Sequence, residues 1–71
     1  MFNNSTITKR ELEIISLMLE EKSAKEIAVL LNLEPKTVES HKRRLMKRFG
    51  VKSSVGIITH AISMGLIELN C

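Results

Sequence analysis

Seventy-one residues, 44% apolar and 27% charged, make a single globular domain with no room for a second. The longest strictly apolar run, residues 27–31, is far short of the ~20 residues that span a bilayer, so no membrane segment is expected. With a net charge of +3, no Asp, two histidines, one cysteine and three isolated glycines, the chain lacks the parts of a Ser-His-Asp triad, a calcium loop, a metal-ligand cluster or a phosphate loop, so no enzyme, metal or cofactor is expected.

Residues 1–5 end in Asn3, Asn4 and Ser5 and read as a flexible N-terminal arm ahead of a domain over residues 6–71. Thr8-Lys9-Arg10-Glu11 is a capping box, in which Thr8 and Glu11 each satisfy the other's backbone amide. Leu12, Ile15, Met18 and Leu19 follow at helical spacing, opposite Lys9, Glu13, Ser16 and Glu20, which predicts an amphipathic helix over about 8–21. Ser23-Ala24-Lys25-Glu26 is a second capping box and opens a short helix ending at Leu31, with Ala24, Ile27, Ala28 and Leu31 as its apolar stripe.

Asn32-Leu33-Glu34 interrupts the pattern and Pro35 restarts it. Proline suits the first helical position and pushes the preceding residue out of helical dihedrals, so a real break is predicted. The third helix runs to about Phe49 and stops at Gly50, a residue suited to the left-handed conformation that ends helices. Ser53 or Ser54 caps a fourth helix that ends near Met64-Gly65. No strand signal is of comparable strength, and the fold class expected is all-α, a compact four-helix domain.

Charge is concentrated in the third helix. Residues 1–34 sum to −2, residues 35–52 to +6 and residues 53–71 to −1. At 100° per residue Val38, Leu45 and Phe49 cluster within about 40° and predict an inward stripe. Lys36, Glu39, Ser40, Arg43 and Lys47 lie opposite, with Thr37, His41, Arg44 and Arg48 flanking them. A charge run alone is usually a solvated helix face. Here, however, a short helix, a three-residue turn and a longer basic helix form a helix-turn-helix, whose second helix enters the major groove of DNA. Arg bonds guanine bidentately, Glu accepts from cytosine and Ser serves either role, while flanking cations hold phosphates. With no Trp or Tyr, and Phe only at positions 2 and 49, stacking on single strands is not expected.

Thr8-x-Arg10-Glu11 with Glu13, Lys25-Glu26-Ile27-Ala28 with Leu31, Thr37-Val38-x-x-His41, Lys47-x-x-Gly50-Val51 and the closing Met64-Gly65-Leu66-Ile67 together resemble the LuxR/GerE-type DNA-binding domain over residues 6–67. The resemblance implies sequence-specific binding of double-stranded DNA in transcription regulation, often as the effector domain of a response regulator, with RNA polymerase as a further partner. It places Glu39, Ser40 and Arg43 at base edges, and Ser23, Lys25, Lys36, Thr37, His41, Arg44 and Lys47 at or near the backbone. In three places the chain departs from the family pattern. Lys22-Ser23-Ala24 occupies the stretch where the family tends to carry Gly-x-Ser-Asn, Glu34 replaces the usual hydroxyl cap, and Glu39 puts an acid in the reading strip.

The fourth helix is apolar over about 180°, wider than the ~100° stripe of a surface helix. Val55, Ile58 and Ile62 are assigned to the core, and Ile57, Ala61 and Met64 to a twofold homodimer interface. His60 reads as solvated, and His41 as a residue shared between core and backbone contact. Cys71 has no intrachain partner and no leader is visible, so a reducing, cytoplasmic setting is expected. The rival readings are a protein-interaction module built on the fourth helix, a membrane-surface helix, and RNA binding, whose deep and narrow major groove suits a projecting helix less well.

Overall fold

A computed structural model describes residues 7–67, in which four helices follow one another: α1 (Lys9–Leu19), α2 (Ala24–Leu31), α3 (Pro35–Phe49) and α4 (Ser54–Ser63). The arm over residues 1–5 and Cys71 lie outside the described residues. Each start has the local cause that the sequence provides. The Thr8 hydroxyl accepts from the Glu11 N–H at 3.1 Å while the Thr8 N–H donates to the Glu11 carboxylate at 3.0 Å. Ser23 and Glu26 repeat the exchange at 3.2 and 2.7 Å. Ser53 caps α4 by accepting from the Gly56 N–H at 3.2 Å. At α3 Pro35 takes the first position and Glu34 is extended, with no side-chain cap bond.

All four helices stop in the same way, with a left-handed residue after the last turn and a pair of reversed backbone bonds, the Schellman arrangement. The left-handed residues are Glu21 (φ 64°), Asn32 (φ 58°), Gly50 (φ 70°) and Gly65 (φ 75°). Closing bonds run from the Lys22, Leu33, Val51 and Leu66 N–H groups to the Leu17, Ala28, Met46 and Ala61 carbonyls. Glycine and asparagine tolerate this conformation, whereas a glutamate side chain crowds the backbone there. Glu21→Gly is therefore expected to stabilise the domain by about 1 kcal/mol, raising the melting temperature by roughly 4–8 °C in a thermal scan.

Ile14 and Ile15 from α1, Ile27 from α2, Val38 and Leu45 from α3, and Ile57 and Ala61 from α4 are fully buried and form one core. Phe49 is only half-buried, at the edge of that core. Burial on α1 centres on Ile14 and Ile15, while Leu12 and Leu19 are half-buried, so the helix is rolled from the face its hydrophobic spacing suggested.

The largest correction concerns α4. Ile57 and Ala61, expected at a dimer interface, have no exposed surface, and Met64 is half-buried in the same sector. Val55, expected inside, is 68% exposed, and Ile58 and Ile62 are half-buried. The short link from α3 sets this roll. A Cβ on Gly56 would stand 2.7 Å from the Val51 Cβ, so the bare backbone in the first turn of α4 lies directly on Val51 in the link. One turn on, the His60 ring packs on Phe49 with centroids 4.4 Å apart, so His60 is half-buried rather than solvated. With that flank fixed, the 57/61 sector turns inward, Val55 turns outward, and Ile58 stays half-buried against the core.

Gly56→Ala tests the close approach. Alanine would gain up to about 1 kcal/mol of helix propensity, but overpacking against Val51 costs about 1–3 kcal/mol. The expected result is a net loss of about 1–2 kcal/mol by urea unfolding, relieved when Val51→Ala is added.

Candidate nucleic-acid interface

α2 and α3 are joined by Asn32, Leu33 and Glu34. The left-handed Asn32 reverses the chain, and the Leu33 N–H donates to the Ala28 carbonyl at 2.8 Å, which pins the turn to the end of α2. From Pro35 the third helix then projects for about 22 Å, at 1.5 Å per residue. Val38 and Leu45 anchor it to the core with no exposed surface.

On the opposite side Lys36, Glu39, Arg43 and Lys47 are exposed and Ser40 is half-buried, so the expected reading strip faces outward. Along one flank Arg44 is exposed, while Thr37 and His41 are half-buried. The His41 Nδ1 is buried and finds no hydrogen-bond partner among the described residues. At the start of α2, Lys25 and the cap residue Ser23 are both exposed. Ser23 is already engaged in its capping box through its N–H and its oxygen. On the Glu26 carboxylate the Ser23 N–H has the largest effect. With the Ser23 hydroxyl and the Lys22 charge it overcomes slight desolvation and holds the carboxyl below its ordinary range.

Two side chains take parts that no spacing suggested. Arg10 donates from Nη1 to the Leu31 carbonyl at 3.4 Å, a cation placed at the C-terminal end of α2. Glu11, besides closing its capping box, is buried and accepts from the Arg48 Nη1 at 3.0 Å, tying the first turn of α1 to the last turn of α3. Arg48 thus leaves the outer flank where the helical projection placed it and points back toward α1. The signal for the pair is a carboxylate and a guanidinium 37 residues apart, which sequence spacing alone does not connect.

The family model for bacterial regulatory proteins of the luxR family matches residues 5–61. The chain belongs to this family. Spore germination protein GerE of Bacillus subtilis is 38% identical over 63 residues, covering 89% of this chain and 85% of GerE. A solved structure of the transcription factor GerE superposes with a TM-score of 0.87 at 30% identity, covering 90% of this chain and 96% of that one. The response regulatory protein YgeK of Escherichia coli K12 is 41% identical over 67 residues, which is 94% of this chain but 46% of YgeK. The LuxR-family chain therefore spans less than half the length of that relative.

Membership makes this a LuxR-family DNA-binding domain of the transcription-regulating kind and disfavours the reading of α4 as a protein-interaction module. The four-helix, helix-turn-helix architecture read from the sequence is the one observed. Among the described residues no helix is long and apolar enough to cross a membrane.

Proposed function

We propose that α3 lies in the major groove of double-stranded DNA, where Glu39, Ser40 and Arg43 meet base edges. Lys25, Lys36, Thr37, His41, Arg44 and Lys47, with the Ser23 hydroxyl, fix the register on the phosphates. The observation that carries this reading is the two-sidedness of α3. Val38 and Leu45 are fully buried while Glu39, Arg43 and Lys47 are exposed opposite them, on a helix held by a short preceding helix and a tight turn. Excess cationic charge over residues 35–52 supplies sequence-independent attraction, and the Arg, Glu and Ser of the strip supply choice.

The domain acts as a twofold dimer through the outer side of α4, where the exposed Val55 and the half-buried Ile62 offer apolar surface in place of the buried Ile57 and Ala61. Two recognition helices then sit about 34–36 Å apart, one turn of DNA. The setting is the cytoplasm, and the regulatory output is exchanged with RNA polymerase at the promoter. Selection of bound duplexes from a random pool tests the reading. The expected product is a motif with twofold-related half-sites about one turn apart. A pool that fails to enrich any motif would refute sequence-specific recognition, and sedimentation of the DNA complex with one domain per site would refute the dimer.

A further inference from the structure

We propose that Glu11 determines specificity from outside the groove: its carboxylate draws the Arg48 guanidinium inward against α1, which fixes the roll of α3 and withholds one cation from the DNA backbone. The inference rests on α3 being the groove helix. At 100° per residue Arg48 shares a flank of about 60° with Thr37, His41 and Arg44, all three assigned to the backbone. A basic side chain on that flank would ordinarily join them. Instead its Nη1 is 3.0 Å from Glu11, on another helix.

The two partners are unequally held. The Glu11 side chain is 4% exposed and is also bonded to the Thr8 N–H at 3.0 Å, so it is a fixed anchor set by the first turn of α1. Arg48 is 36% exposed and lies at the solvent edge, where a phosphate could approach its guanidinium. A nearby phosphate competes with the carboxylate for the same guanidinium. The Glu11 charge also lies within electrostatic reach of His41, on the same flank. Glu11 therefore supplies the negative charge that this edge of α3 faces inside the protein. With Glu11 uncharged, the positive charge of Arg48 is no longer offset and adds affinity for any sequence, while the weakened brace loosens the presentation of Ser40 and Arg43.

Glu11→Gln tests this, because glutamine keeps the length of the side chain and can still close the capping box on Thr8. The readout is duplex affinity against salt, measured on the selected site and on a scrambled duplex. The expected result is a salt dependence steeper by about one unit on both duplexes. The preference for the selected site should fall roughly tenfold, the equivalent of one good base contact. Adding Arg48→Met to Glu11→Gln is expected to return the salt dependence to that of the unaltered domain. A role confined to stability would lower the melting temperature of Glu11→Gln and leave the salt dependence unchanged, which would overturn the inference. A double variant that stays steep would overturn it too. Should Glu11→Gln fail to fold, Arg48→Met alone decides. An unchanged salt dependence is expected, whereas a loss of about one unit would mean that Arg48 already holds a phosphate and that the inference is wrong. An unaltered domain without any salt-dependent duplex affinity would instead refute the groove assignment itself.

Discussion

Glu11→Ala is expected to lower the stability of the domain by about 2–3 kcal/mol, which in a chain of this size lowers the melting temperature by roughly 10–20 °C. The substitution removes half of the capping box, worth about 1 kcal/mol, and breaks the ion pair to Arg48. A fully buried pair broken on one side costs about 3–5 kcal/mol, but Arg48 reaches solvent and is rehydrated, which reduces the loss. For a small domain that is a large share of the total.

The loss carries a pH signature. Burial on its own raises the Glu11 carboxyl. The Thr8 N–H, the hydrogen bond and charge of Arg48, and the charge of His41 together outweigh burial and hold it below the ordinary glutamate value. A carboxyl depressed in the folded state adds stability above its unfolded value, about 4.3, and that stability disappears as the pH falls through the folded value. The difference in unfolding free energy between the unaltered domain and Glu11→Ala should therefore be full near pH 7 and shrink below about pH 4.3. A difference that widened in acid would contradict the assignment.

Arg43→Ala is expected to cost about 1–3 kcal/mol of binding at one base position and to relax the choice of base there. Arg43 is exposed at the centre of the strip opposite Val38 and Leu45, where a guanidinium can meet the O6 and N7 of guanine together. Lys47→Ala, on the same helix, should instead weaken all sequences alike and flatten the salt dependence by about one unit. Binding measured on a set of single-base variants of the selected site separates the two. An equal loss on every variant after Arg43→Ala would remove Arg43 from the base readers.

The contrast between these residues shows which features a sequence makes legible. The helix starts at Lys9, Ala24 and Pro35 could be read because each depends on neighbours within four residues: a capping box, a second capping box and a proline. The outward set on α3 was legible for a similar reason, since Val38 and Leu45 leave little choice of inward face on so polar a helix. The roll of α4 was not. Its apolar arc is so wide that periodicity fixes its extent without its phase, the contact of Gly56 on Val51 leaves no mark on that periodicity, and the contact of His60 on Phe49 arises only when α3 and α4 meet. Glu11 was legible as a cap but not as a buried ion-pair partner, because Arg48 is brought to it by the tertiary fold. The strain at Glu21 was not legible either, because its left-handed φ is visible only in the folded chain.

The central claim is that the exposed strip of α3 occupies the major groove. Methylation interference on the selected duplex tests it directly, because one reagent marks guanine N7 in the major groove and adenine N3 in the minor groove. Methylated guanines within each half-site should abolish binding, while methylated adenines between or beside them leave it intact. Interference confined to adenine N3 would place the contact in the minor groove and contradict the account.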